Sequence, residues 1–283
     1  MMMSAEASII CWHILAAWLG ASIGSFLNVV IYRVPLMIKN QDRKVINEYL
    51  GLHGTVKKDN SADDDALNLV WPPSSCPVCR RKIAFYDNIP LIGWLILAGR
   101  CRHCDVKISW RYPVIEMVMM LITLWLTWSP VLDLSWVFLL AFSAILIALA
   151  VIDYDHLILP DCLTGTLLWL GLLWHCLYHE VAIFHAVIGA VAGYLCFWLL
   201  YHASKYITGK DCLGYGDLKM LAALGAWFGW KFLPDLVLIA SGASILYLIF
   251  LSRGANSIRE KQCPFGPGLA LAGFILMIWQ RAG

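Results

Sequence analysis

The chain has 283 residues, of which 60% are hydrophobic and only 14% charged, with a mean hydropathy of +0.71. A soluble domain carries about 45–50% apolar and about 25% charged residues, so this composition excludes an ordinary soluble fold and points to several membrane crossings. A formal charge of +2 is too small to mark a nucleic-acid-binding surface, and no nucleic acid partner is expected.

Residues 7–32 carry no Lys, Arg, Asp or Glu. About 20 such residues suffice to cross the hydrocarbon, so residues 1–32 are expected to form a first transmembrane helix. Met1–Glu6 lack the basic flank of a signal peptide, so that helix is read as retained. Residues 33–112 differ: they hold thirteen of the 21 Lys and Arg, eight acidic residues, Pro72-Pro73 and a polar run from Lys57 to Asp65. They are expected to form a water-facing loop. Apolar segments then follow at 113–132, 134–152, 162–179, 181–204, 218–230, 232–252 and 264–280. Each is predicted helical, because backbone in lipid must bond internally. The segment 218–230 is short for a span and carries Lys219, so it reads equally as a buried helix. The expectation is an all-α polytopic membrane protein of about eight transmembrane helices, in three parts: 1–32, 33–112 and 113–283.

Placing 33–112 in the cytoplasm also places 202–216 and 252–262 there, and together these regions hold 18 of the 21 basic residues. That agrees with the positive-inside rule. Two acidic clusters, Asp153–Asp161 and Gly214–Asp217, then share the cytoplasmic face.

Within the loop, Cys76-Pro77-Val78-Cys79 and Cys101-Arg102-His103-Cys104 form two C-x2-C pairs. Each pair can supply two thiolates from one turn to a tetrahedral zinc, and four thiolates make a structural site with no open position. Two disulfides are the rival reading, disfavoured on a reducing cytoplasmic side. One structural zinc per chain is expected on Cys76, Cys79, Cys101 and Cys104.

Four carboxylates compete for chemistry: Asp153, Asp155, Asp161 and Asp217. Asp161 follows Leu159-Pro160 and fits a helix N-cap; Asp155 fits a solvated connection. Asp153 ends an apolar run, where a helix dipole opposes its charge. Asp217 could be a plain N-cap, but Gly214 and Gly216 just before it permit close backbone approach, which suits an extended substrate. Acids at membrane depth are functional candidates, and two acids sharing a proton can drive water onto a peptide bond. The dipoles would leave the charge on Asp217 and the proton on Asp153. Asn28 and Glu116 are further polar groups in apolar surroundings. Their plain roles would be a helix-to-helix hydrogen bond and a pairing with a loop arginine.

The chain resembles the bacterial type IV prepilin peptidases, also called prepilin leader peptidase/N-methyltransferases. The resemblance rests on Gly24-Ser25-Phe26-Leu27-Asn28-Val29-Val30-Ile31-Tyr32-Arg33-Val34-Pro35, the paired cysteines, Asn88-Ile89-Pro90, and Arg111-Tyr112-Pro113 with Glu116. It rests equally on Ile152-Asp153 through Leu159-Pro160-Asp161, Gly214-Tyr215-Gly216-Asp217 and Phe265-Gly266-Pro267. It implies an inner-membrane enzyme with its active site toward the cytoplasm. Such an enzyme cleaves the short basic leader of type IV prepilins or type II secretion pseudopilins. It then methylates the new N-terminus with S-adenosylmethionine. The family's catalytic pair falls on Asp153 and Asp217, supported by Gly214, Gly216 and Asp161, and methylation is associated with the loop and first helix, with Asn28 and Glu116 as candidates. Presenilin-like and preflagellin peptidases also carry G-x-G-D but lack the cysteine loop. A proton-coupled transporter and a zinc-organised scaffold are the readings from other classes. The loop's net charge of +5 would not attract a basic leader; Asp63-Asp64-Asp65 is a local patch that could. The sequence leaves the oligomeric state open.

Overall fold

The computed structural model describes residues 2–52, 67–128, 134–178, 182–209, 213–252 and 264–282. Asp63-Asp64-Asp65 and the basic connection 253–261 lie outside the described residues. The described residues are predominantly helical and contain no strand, only two isolated bridges in the cysteine loop. Among the described residues, each apolar segment read from the sequence contains a helix. Among the described residues, four helices are long and apolar enough, by length and composition, to cross a membrane. The protein is a multi-pass membrane protein. It forms two compact units, Met1–Trp136 and Val137–Gly283.

In the first unit, α1 (Met2–Leu52) runs well past the expected end of the first span. It continues through Pro35, whose missing N–H costs a helical hydrogen bond. Good helix formers follow (Leu36, Met37, Gln41, Arg43, Lys44, Glu48) and no glycine interrupts before Gly51, so the helix carries on with an exposed surface. At about 1.5 Å per residue it is far longer than the ~30 Å hydrocarbon, so its C-terminal half belongs to the water-facing part. Buried Arg33 is satisfied by carbonyls of the returning chain: Nη1 donates to Asn68 at 2.8 Å and Nη2 to Pro72. A short α2 (Ile92–Ile96) follows the loop's first cysteine pair.

Then α3 (Arg111–Leu126) folds back on α1. Gly20 and Gly24 make this possible. They lie four apart on one face, and a Cβ on Gly24 would sit 2.6 Å from the Glu116 Cα. Small residues at this spacing let two membrane helices touch backbone to backbone. The sequence reading divides the chain at 112; the compact units divide after Trp136, because α3 packs on α1.

The second unit holds α4 (Ser135–His156) from Val137 onward, α5 (Asp161–Tyr178), α6 (Ile183–Thr208), α7 (Tyr215–Phe228), α8 (Leu233–Ser252) and α9 (Gly266–Ala282). The short α7 is its centre. Leu218 and every residue from Met220 to Phe228 are buried, and α5, α6 and α9 pack around them. At 14 residues α7 is only about 21 Å long, less than the hydrocarbon thickness. The α6–α7 contact is a glycine crossing, since a Cβ on Gly189 or Gly225 would strike the other's carbonyl. Buried polar groups pin α5 to α7: Trp227 Nε1 donates to the Leu167 carbonyl and His175 Nε2 bonds the Trp227 carbonyl, both at 2.8 Å. Trp227 also packs on Phe142 of α4, with ring centroids 4.6 Å apart. The helix that begins with Asp217 is therefore held from several sides.

Candidate active site

Asp153 lies in the last turn of α4 and is 6% exposed. Its Oδ2 accepts the backbone N–H of Gly266 at 2.8 Å. Gly266 opens α9, so an N-terminal helix dipole is aimed at this carboxylate. Only glycine fits there: a Cβ at Gly266 would stand 2.7 Å from the same oxygen. Asp217 is the third residue of α7 and is 8% exposed. Its Oδ2 accepts the N–H of Gly214 at 3.2 Å, the reach-back half of a capping box. The two carboxylates are within electrostatic reach of each other.

This geometry removes the premise for dividing their roles by dipole. Asp153 does sit against the end of its own helix, but the start of α9 faces it. Each acid thus receives one backbone N–H from a helix N-terminus. Two buried carboxylates brought close together share their protons and titrate as a unit.

The glycines before Asp217 also have local duties. Gly214 supplies the N–H to Asp217. Gly216 makes room for Leu159, whose Cβ would lie 2.7 Å from an added Cβ. The Leu159-Pro160 connection therefore packs directly on the first turn of α7. Asp161 and Asp155 are both exposed, outside the buried pair. Asp161 is the first residue of α5 and engages Lys219 of α7, Oδ1 to Nζ 2.6 Å. Gly266 and Lys219 are the two participants that residue-by-residue reading gave no role. Their signals were present: a Gly-Pro step opening the last apolar segment, and a lone lysine inside one.

In the first unit, Asn28 Nδ2 donates to the Gly24 and Tyr112 carbonyls, both at 3.2 Å, so it does bond α1 to α3. Buried Glu116 takes the backbone N–H of Leu91 at 2.7 Å, rather than the loop arginine expected for it. Leu91 adopts φ +60°, just after Asn88-Ile89-Pro90, and this left-handed turn delivers the N–H to Glu116. The carboxylate thus ties the loop to the paired helices.

The four cysteine Sγ atoms lie within 4.8 Å of one another, and none is in a disulfide. The two C-x2-C turns are built alike. The residue after each second cysteine, Arg80 or Asp105, has φ near +55° and returns its N–H to the first cysteine's carbonyl. Cys76 and Cys104 Sγ are 3.7 Å apart. Two thiolates on a tetrahedral zinc with ~2.3 Å bonds would be roughly 3.8 Å apart. Backbone N–H groups of Cys79 and Val78 draw the Cys76 thiol down to about 6. At Cys104 the Val106 N–H acts in the same direction, but burial and the three neighbouring sulfurs outweigh it and push that thiol up to about 12. Four adjacent thiolates are compatible only with a cation among them, and the group could hold a metal ion. Asp87 and Arg102 brace the second turn through a two-pronged pair, 2.8 Å at Nε, which holds the Asp87 carboxyl below the usual carboxylate range.

Residues 18–130 match the bacterial peptidase A24 N-terminal domain, and residues 140–249 match the type IV leader peptidase family. The chain is 47% identical to a prepilin leader peptidase/N-methyltransferase of Pectobacterium carotovorum, over 92% of this chain and 90% of the relative. Proteins of the same description from Dickeya chrysanthemi and Pseudomonas aeruginosa are 44% and 38% identical. The alignments cover 96% and 92% of this chain, and 94% and 88% of those relatives. No solved structure matches the chain.

Proposed function

The chain belongs to the type IV leader peptidase family, and from that premise we propose how its two units divide a bifunctional reaction. The enzyme is an aspartic endopeptidase and N-methyltransferase. It removes the leader of type IV prepilins or type II secretion pseudopilins and methylates the new N-terminal residue. The observation that carries the peptidase reading is a pair of buried carboxylates, Asp153 and Asp217, in one helical unit and each on one backbone N–H. In this reading one carboxylate, ionised, takes a proton from water as it attacks the scissile carbonyl. The other, protonated, donates to the carbonyl oxygen. Collapse of the tetrahedral species returns a proton to the leaving amine and resets the pair. No metal is needed for this step. The site lies at the cytoplasmic face of the inner membrane, in keeping with the distribution of basic residues.

The methylation half is assigned to residues 33–112 with the first helix, and the acid pair to the helices after 112. S-adenosylmethionine supplies the methyl group when bound, and the chain's own task is to present an unprotonated α-amine. An α-amino group titrates at about 7.7–8.0 in water, so a nearby carboxylate suffices as base. Glu116, with Asn28 one helix away, is the proposed group. The cysteines hold one structural zinc in the arrangement that fits them. The transporter alternative gains nothing from the comparisons.

The test is to incubate the purified full-length protein with a prepilin. A mass loss equal to the leader is expected, and a gain of one methyl group when S-adenosylmethionine is added. A transporter or scaffold leaves the pilin mass unaltered. Glu116→Gln separates the two roles open to Glu116. The amide oxygen still accepts the Leu91 N–H, so only the charge is removed. Methylation of a pre-cut pilin should fall at least about tenfold while cleavage continues. Full methylation in this variant would reduce Glu116 to a strut between loop and helix.

A further inference from the structure

The rim of the acid pair carries an ion pair that the peptide-bond chemistry leaves unused. Lys219 in the second turn of α7 reaches Asp161 at the start of α5, Nζ to Oδ1 2.6 Å. Lys219 is badly placed for a purely structural role. A cation near a helix N-terminus opposes the dipole, and its neighbours Leu218 and Met220 are wholly buried. Asp161 is well placed as an anion at the first position of α5. The Asp161 side chain is 73% exposed and that of Lys219 41%. An exposed pair of this kind is weakly held and readily exchanges partners.

Resting on the peptidase reading above, we propose that Asp161 is a specificity residue that receives a cationic side chain of the substrate leader. Lys219 occupies its carboxylate between turnovers. Leu159, two residues before Asp161, packs on Gly216, the residue before Asp217, so the start of α5 borders the turn that carries this acid. The incoming cation replaces the ammonium of Lys219, charge for charge, and Lys219 turns to solvent. The pair thereby selects basic leaders although the loop 33–112 is itself basic, and it does so with described residues rather than through Asp63-Asp64-Asp65.

The test compares two substrates on full-length enzyme: a prepilin with its basic leader, and the same prepilin with those Lys and Arg changed to Gln. Wild type should show a KM about three- to tenfold lower for the basic leader. Added salt should shrink that difference. Asp161→Asn should erase it by raising KM for the basic leader, with kcat moved less than about twofold. Lys219→Met removes the competing cation and should lower KM for the basic leader. Asp161→Asn that retains the wild-type preference overturns the proposal. So does Asp161→Asn that lowers kcat equally on both leaders, because the pair then only positions α7. Wild type that cuts neither substrate would instead defeat the peptidase reading, and this proposal with it.

Discussion

Asp153→Asn and Asp217→Asn should each lower leader cleavage by about 10³-fold or more, and the double variant should be hardly worse than either single one. The non-additivity follows from shared function: one acid without its partner can neither activate water nor protonate the carbonyl in the same turnover. Each substitution also keeps its backbone anchor. An amide oxygen at 153 still accepts the Gly266 N–H, and one at 217 still accepts that of Gly214. The variants should therefore fold, and methylation of a pre-cut pilin should persist because Glu116 and the cysteines belong to the other unit. Asp155→Asn should retain most activity, since its side chain lies outside the buried pair. The pH dependence of wild-type cleavage should be bell-shaped, with both apparent pKa values belonging to the pair. An active Asp153→Asn would remove Asp153 from the chemistry, and a strictly additive double variant would break the pair into independent groups.

What could be read in advance depended on how far apart in sequence the partners lie. The cysteine group was legible because each C-x2-C turn is local and two such turns have few uses. The helices were legible from apolar runs, although the end of α1 was not. A proline and a change to polar residues marked the end of the membrane run, while the helix itself continued in water on helix-forming residues. The buried acids were legible as candidates, but their environment was not. The N–H that holds Asp153 comes from Gly266, 113 positions later, and the partner of Asp161 lies 58 positions away. A dipole argument made from one helix at a time could see the end of α4 and not the start of α9. The glycines of the G-x-G-D turn illustrate the same limit. Gly216 reads as a place of close backbone approach for a substrate, and the close neighbour the structure adds there is Leu159.

The second large effect is expected at the cysteines. Purified protein should contain about one zinc per chain, and Cys76→Ser or Cys101→Ser should lose it along with nearly all methylation. Between residues 67 and 110 the apolar side chains are largely exposed and only Cys76, Gly93 and Gly99 are buried, so the order of the loop should rest on three supports. These are a metal on the four cysteines, as proposed, the Arg33 bonds to Asn68 and Pro72, and the Leu91–Glu116 bond. For small cysteine sites the free energy of metal binding, about 10–16 kcal/mol in isolated zinc-finger peptides, is largely folding free energy. Removing one thiolate should therefore release the whole loop rather than loosen one turn. Limited proteolysis should then cut between residues 67 and 110, where the wild type resists. Acid should have the same effect, since protonation of the thiols competes with the metal. The sign is fixed by the ligands: metal is held at neutral pH and lost as pH falls. Cleavage should decline less than methylation in these variants, because Asp153 and Asp217 are anchored by the N–H groups of Gly266 and Gly214, within the second unit. Wild-type protein stripped of zinc that still methylates at full rate would overturn this account. Equal loss of both activities would show that the peptidase also depends on the metal-held loop.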